Sequence, residues 1–417
     1  MTHFRQGLRS GDWLTPARAR GYSLILLVIC ALAMVGWIAL SDGLIDRNGK
    51  PIGTDFSSFY AAGSLALEGK ATEAYNMAAH YAREQQLFGA NIPYYGWLYP
   101  PNFLLVAAPL ALLPYPLALA AWQGSTLALY LAVIAAILYR ARRENQAIAG
   151  LWLAVAAAFP AVFINLGHGQ NGFLSAALFG AALVSLPQRP VLAGALFGLL
   201  AYKPQFALVI PFALVAAGQW RTCVAAAVTV IALAAASTVL FGADVWWSFL
   251  ASTETSRRLL LEAGNVGFEK LQSVFAAVRI LGGGVTLAYL VQATVSVAAV
   301  CGTAWVWHSS QDRNEKAALL LAATALASPH ILDYDLMLLA PAIAFFVAAR
   351  SDGHFRDYEL SLLAAVWITP LLARPVAGLT GIPIGFLASL TLFALIVRRA
   401  ARTHDEAAIG AAGIAQA

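Results

Sequence analysis

The stretch YSLILLVICALAMVGWIAL, residues 22–40, holds no charged side chain. A segment of that length, coiled as a helix, crosses the roughly 30 Å hydrocarbon core of a bilayer. Arg5, Arg9, Arg18 and Arg20 precede it, and positive charge collects on the cytoplasmic side of spanning helices, so residues 1–21 read as a cytoplasmic tail. The basic flank imitates a signal peptide. The run is long for one, however, and lacks a small-residue cleavage site, which predicts an uncleaved first helix. Outward from this segment, apolar runs recur at about 117–138, 147–166, 172–186, 191–202, 205–218, 222–241, 285–307, 317–328, 336–349, 359–373 and 383–397. With the first they predict about twelve transmembrane or re-entrant helices in one all-α domain covering 1–417.

Composition supports the same class: 60% of residues are hydrophobic, 11% are charged and the mean hydropathy is +0.71, against roughly 25% charged in a soluble domain. The net charge of +5 needs no nucleic-acid partner, because most arginines lie in short connections and at the termini. Cys30, Cys223 and Cys301 sit in apolar runs without paired spacing and read as small hydrophobes.

Charge parity tests the count. With the N-terminus inside and twelve crossings, the even-numbered connections hold Arg140, Arg142 and Arg143, then Arg189, Arg221, Arg313 with Lys316, and Arg350 with Arg356. The tail 398–417 adds Arg398, Arg399 and Arg402. The outer face then receives two long loops, 42–100 and 242–284, and the short connections with His168, Lys203 and His330. The first loop carries Phe56, Phe59, Tyr60, Leu65 and Leu67 among small residues, which predicts interfacial helices lying on the bilayer. Five prolines between Tyr99 and Pro116 predict a re-entrant hairpin. The Ala/Gly-rich tail after Arg402 is expected to fray.

Four groups on that face carry chemical potential. Asp55, in GTDFSSFY (53–60), reads either as a general base, its pKa raised by nearby low dielectric, or as the N-cap of the following helix; the two can coexist. His168, Gln170 and Asn171 lie in NLGHGQNG (165–172), where three glycines let backbone approach a ligand or simply turn the chain. Lys203, between two short apolar runs and before Pro204, is placed to hold a phosphate as a point charge or to snorkel to the interface. SPHILDYD (328–335) gathers His330, Asp333, Tyr334 and Asp335, which suit sugar orientation, proton transfer or a structural loop; the spacing matches no strong metal signature. In the second loop Trp246 and Trp247 read as an interfacial belt or a sugar platform. Arg257 and Arg258 stand where topology needs no cations, and so are candidates for lipid phosphate.

The ordered set of Asp55-Phe56 with Tyr60-Ala61-Ala62, then Tyr99-Pro100-Pro101, Gly169-Gln170-Asn171, Lys203-Pro204 and Ser328-Pro329-His330 resembles glycosyltransferase family 87 over about residues 22–400. The resemblance implies a C-type membrane glycosyltransferase fold, a polyprenyl-phosphate sugar donor with mannose as the usual sugar, and inverting transfer to an acceptor hydroxyl on the outer face of a bacterial inner membrane. It places a catalytic carboxylate at Asp55 and an active-site histidine at His330. Beside it, our reading gives Lys203, Arg257 and Arg258 the donor phosphate, and gives His168, Gln170, Asn171, Tyr99, Asp333 and Asp335 the sugar and acceptor hydroxyls. The partners expected are the lipid donor, a glycolipid or glycan acceptor and membrane lipid, for a monomer without cofactor or metal. A transporter or flippase would also show broken helices and intramembrane polar groups, but would place them at the midplane of two related halves. A non-catalytic envelope subunit would be indifferent to Asp55.

Overall fold

The computed structural model describes residues 2–141, 146–265, 267–310, 312–350 and 355–415. Arg142 and Arg143 of the expected inner connection lie outside the described residues. Among these residues all regular structure is helical, apart from three isolated bridges.

A short helix α1 (Thr2–Ser10) precedes α2 (Pro16–Ala39), which Thr15 caps by accepting from the Arg18 amide. The first long connection folds into α3 (Thr54–Leu67) and α4 (Met77–Phe88), and is followed by α5 (Leu104–Leu110) and the long α6 (Tyr115–Ala141). Helices α7 (Gln146–Ala157) and α8 (Pro160–His168) form one apolar segment bent by 47°. Pro160, in the first turn of α8, supplies no amide to continue the preceding ladder. Next come α9 (Gly172–Ser185), α10 (Pro190–Gly198) and α11 (Ile210–Ala216), all short, then α12 (Trp220–Phe241) and α13 (Asp244–Ser256). The chain closes with α14 (Val274–Ile280), α15 (Val285–Ser309), α16 (Arg313–Ala327), α17 (Leu339–Ala348), α18 (Glu359–Thr380) and α19 (Gly385–Ala415).

Five helices, α2, α6, α12, α15 and α18, are long and apolar enough to cross a membrane, and the bent α7–α8 pair makes a sixth candidate. The chain is therefore a polytopic α-helical membrane protein. Several of the expected twelve runs are half-length instead. Pro190 and Pro204 each open a new turn, and Pro211 lies in the first turn of α11, so the stretch from 190 to 216 is cut into pieces.

Burial orders the helices from rim to centre. Only 6% of the apolar window of α2 or of α12 is covered by protein, against 39% for α6, so the first two face lipid. Every residue of α16 from Ala317 to Ala327 is buried, as is every residue of α17. Helices apolar all round belong in the centre. Helix α3 packs against the protein over ten buried residues from Thr54 to Ala66, its small residues allowing close approach. One expectation is corrected. The tail does not fray at Arg402: α19 continues to Ala415 through an Ala-rich segment of high helix propensity.

The central helices sort charge to two ends. At one end Glu315, Arg350, Glu359 and Arg399 form a cluster, with Arg399 at 3.2 Å from Glu315 and 3.1 Å from Glu359, and Arg350 at 3.6 and 3.7 Å from the same two carboxylates. Helix α1 is fastened there by the Arg9–Asp357 pair at 2.6 Å. At the other end lie the 328–335 segment, Arg374 and the start of α3.

Candidate functional site

Asp55 occupies the first turn of α3, but it does not cap it. The N-cap is Gly53, at φ 71°, and no side chain satisfies the first amides. The Asp55 carboxylate is turned instead toward the end of α8. Its Oδ2 accepts from Gln170 Nε2 at 2.9 Å, and its Oδ1 lies 3.7 Å from His168 Nδ1. That imidazole nitrogen also lies 2.8 Å from the Thr54 hydroxyl. Burial raises the Asp55 carboxyl, yet His168, Gln170 and Lys270 outweigh it and hold it below the usual carboxylate range. The raised pKa expected from the sequence is thus corrected: a local argument sees the low dielectric and misses partners more than a hundred residues away.

The NLGHGQNG turn serves as both turn and site. Asn165 clips it, donating from Nδ2 to the Gln170 carbonyl at 3.0 Å and accepting the Gly172 amide at 2.7 Å. Trp122 and Gln123 of α6 donate to the carbonyls of Gly169, Asn165 and Leu166 at this helix end. Gly169 has φ 65°, and a Cβ there would stand 2.5 Å from Phe56 Cβ. Only glycine lets the α8 end meet the α3 start this closely. Gln170 then bridges outward and inward, donating to Asp55 and accepting from the Tyr99 hydroxyl at 3.0 Å. Beside it Asn171 is fully buried, and both its amide atoms lack a hydrogen-bond partner.

The 328–335 segment closes the other wall. It is stitched to the second long loop by the Gln272 amide donating to the Ile331 carbonyl at 2.7 Å and by the Leu271–Leu332 bridge. Asp335 is buried, pairs with Lys203, and accepts the Leu332 amide at 3.1 Å. Lys203 is therefore no lone cation: its ammonium is neutralised, and sits 5.1 Å from the centre of the Tyr334 ring and 5.4 Å from that of Phe206. Tyr334 also faces His168, ring centres 6.1 Å apart. Asp333 accepts its neighbour's amide at 2.9 Å and lies 3.9 Å from Arg374 Nη1; burial raises its carboxyl in spite of His168 and Arg374. His330 is partly buried, and its imidazole is lowered by that burial while Asp335 opposes the shift.

Of the residues singled out in the sequence, Asp55, Tyr99, His168, Gln170, Asn171, Lys203, His330, Asp333 and Asp335 thus gather around one region. Arg257 and Arg258 do not join it. They pair with Glu262 and Glu254 on an exposed helix end, where charges in consecutive turns meet more readily than distant ones. No group of three possible metal ligands occurs among the described residues, since Asp333 and Asp335 turn to different partners. Sequence reasoning missed Lys270 and Arg374, whose fields reach Asp55 and Asp333. Arg374 carried a signal like that of Arg257, a cation just past an apolar run and away from the arginine-rich connections.

Residues 97–329 match the family model of glycosyltransferase family 87. The matched span includes Tyr99, His168, Gln170, Asn171, Lys203 and Lys270, and stops just short of His330; Asp55 and Arg374 lie on either side of it. No curated protein and no solved structure gives a match. With more than half of its length in that match and an all-helical membrane body around it, the chain belongs to glycosyltransferase family 87 and is a membrane glycosyltransferase.

Proposed function

We propose that the protein transfers a hexose, mannose by family usage, from a polyprenyl-phosphate donor to the hydroxyl of a glycolipid or glycan, inverting the anomeric carbon, with Asp55 as general base. The observation that carries this reading is the arrangement of Asp55. One carboxylate oxygen is engaged by Gln170, while the side chain is a quarter exposed and ionised beside His168. The free oxygen is placed to accept the acceptor proton as the hydroxyl attacks the anomeric carbon. The bond from that carbon to the phosphate oxygen breaks, its electron pair leaves with the phosphate, and the proton passes from Asp55 to solvent.

Gln170, held by Tyr99 and by its own turn, fixes the carboxylate, and the buried Asn171, its amide groups unpartnered, lies directly behind it. Tyr334, His330 and Asp333 line the approach. Lys203 with Asp335 holds that wall in place. The fold is read as the C-type glycosyltransferase architecture, with half-length helices completing about twelve crossings or re-entrant segments. The site opens outside a bacterial inner membrane, opposite the arginine-rich end.

Purified protein offered several polyprenyl-phosphate sugars tests this reading. Transfer from one of them, abolished by Asp55→Asn while the variant elutes and melts like the parent, is the expected result. Retained turnover in Asp55→Asn sinks the base assignment.

A further inference from the structure

The second long loop and α18 bring two cations toward the Asp55 and Asp333 carboxylates. Lys270 ends a short turn (Phe268–Lys270) that packs on α18: Glu269 Cγ is 3.9 Å from the position a Cβ would take on Gly378. Arg374 lies one turn before Gly378 on the same helix and therefore on the same face. Its side chain is 44% exposed, and its guanidinium is only loosely paired, at 3.9 Å, with Asp333. Lys270 is partly buried, and among the described residues no carboxylate lies within ion-pairing distance of its ammonium. Burial lowers the Lys270 ammonium and Arg374 lowers it further, while Asp55 and Asp333 oppose both. Two cations that repel each other at a half-buried opening, one loosely paired and the other with no ion-pair partner among the described residues, are stabilised by an anion that enters between them.

We infer that Lys270 and Arg374 form the binding site for the phosphate of a lipid-linked donor, in place of Lys203, Arg257 and Arg258. The inference rests on the glycosyl-transfer reading, since only there does a phosphate have to be held and then released beside Asp55. The ligand class is a prenyl phosphate monoester or diester. The guanidinium grips two of its oxygens, and the ammonium adds a point charge. Lys203 is excluded because its charge is already met by Asp335. Arg257 and Arg258 are excluded because they are spent on Glu262 and Glu254.

The test is binding, which requires no turnover. Detergent-purified protein is titrated with farnesyl phosphate, farnesol and inorganic phosphate. Parent protein and Asp55→Asn are expected to bind farnesyl phosphate well above farnesol and inorganic phosphate. Lys270→Gln and Arg374→Gln should each weaken it about ten-fold or more, the loss of one charge-assisted contact. Lys270→Arg should stay within about three-fold of the parent, which separates lost charge from lost fold. An unchanged affinity in the Lys270→Gln/Arg374→Gln double variant overturns the site, as does an equal loss in Arg257→Gln. Inorganic phosphate binding as tightly as farnesyl phosphate overturns the lipid assignment. If the binding pattern holds but no polyprenyl-phosphate sugar is ever turned over, the catalytic reading fails and the anion site stands. If transfer depends on Asp55 but not on these cations, the reverse follows.

Discussion

The two ends of the central helices each carry a cluster of buried charge, built on opposite plans. At the arginine-rich end two arginines meet two glutamates, Arg350 is fully buried, and the side chains of Glu315 and Glu359 are 10% and 5% exposed. Each carboxylate is shared between both guanidiniums, with Arg399 at 3.2 and 3.1 Å, so acid and base are matched two to two although Arg350 Nε and Nη2 make no hydrogen bond. At the other end Asp55 and His168 are each 25% exposed and Arg374 is 44% exposed. There the pairs stand at 3.7 and 3.9 Å, Lys270 has no ion-pair partner among the described residues, and Asn171 has unused hydrogen-bonding groups. A matched cluster holds helices α16 to α19 in register; an open one has capacity left for a ligand. Buried charge alone therefore does not mark a site; unmet charge beside water does.

The sharpest way to break this contrast is to remove one member at each end and ask which property fails. Asp55→Asn should reduce kcat by about 10²- to 10⁴-fold, the usual worth of a general base, with an unchanged melting temperature. Arg350→Leu should do the opposite. It leaves Glu315 and Glu359 with less compensation, which costs about 3–5 kcal/mol of stability and is read as a fall in melting temperature at near-parental turnover per folded molecule. If Arg350→Leu removes activity without melting the protein, the arginine-rich end is not merely a clamp.

A subtler comparison uses pH. The Asp55 carboxyl is depressed, so the base stays ionised as pH falls through the usual carboxylate value of about 3.9, and kcat/KM should hold until acidity exceeds that point. Lys270→Gln removes one of the fields that depress it and should move the acid limb upward, a shift that a role confined to folding would not produce.

Glu84 behaves in the contrary sense. It is fully buried on α4, its Oε2 accepts the Tyr95 amide at 3.0 Å, and its Oε1 lies 3.1 Å from the Ser57 hydroxyl. That hydroxyl also reaches the Thr54 carbonyl at 2.7 Å. Burial pushes its carboxyl up to about 8, against hydrogen bonds from Tyr95 and Ser57. A pKa raised on folding gives stability that is complete below the unfolded value, near 4.5, and fades as pH climbs to about 8. Glu84→Gln keeps the shape and should flatten that decline between pH 5 and 8 by a few kcal/mol at most. Chemical denaturation at several pH values checks it. The smallest effect should come from Arg258→Gln, an exposed pair of about 0.3–0.5 kcal/mol, with neither turnover nor melting measurably altered.

Much of this contrast could be read from the chain. The apolar runs, the arginines gathered between alternate runs, and the polar motifs held on the other side required only that lipid excludes charge, a property each segment expresses by itself. The broken stretch around Lys203 followed from its prolines in the same way. What one-dimensional reading mistook was partnership. Lys203 appeared solitary until Asp335, from a later helix connection, neutralised it. Asp55 appeared a plain helix cap or a low-dielectric base until Gln170 and His168 reached it from the end of α8.

Hydropathy is a local property summed along the backbone, so the sequence by itself determined a helical membrane body with chemistry concentrated at one end. Ion pairing and hydrogen bonding act over a few ångströms in space, without regard to distance along the chain. The tertiary structure brings Lys270 and Arg374, and not Arg257 and Arg258, toward Asp55 and Asp333, and it packs α3 within the protein.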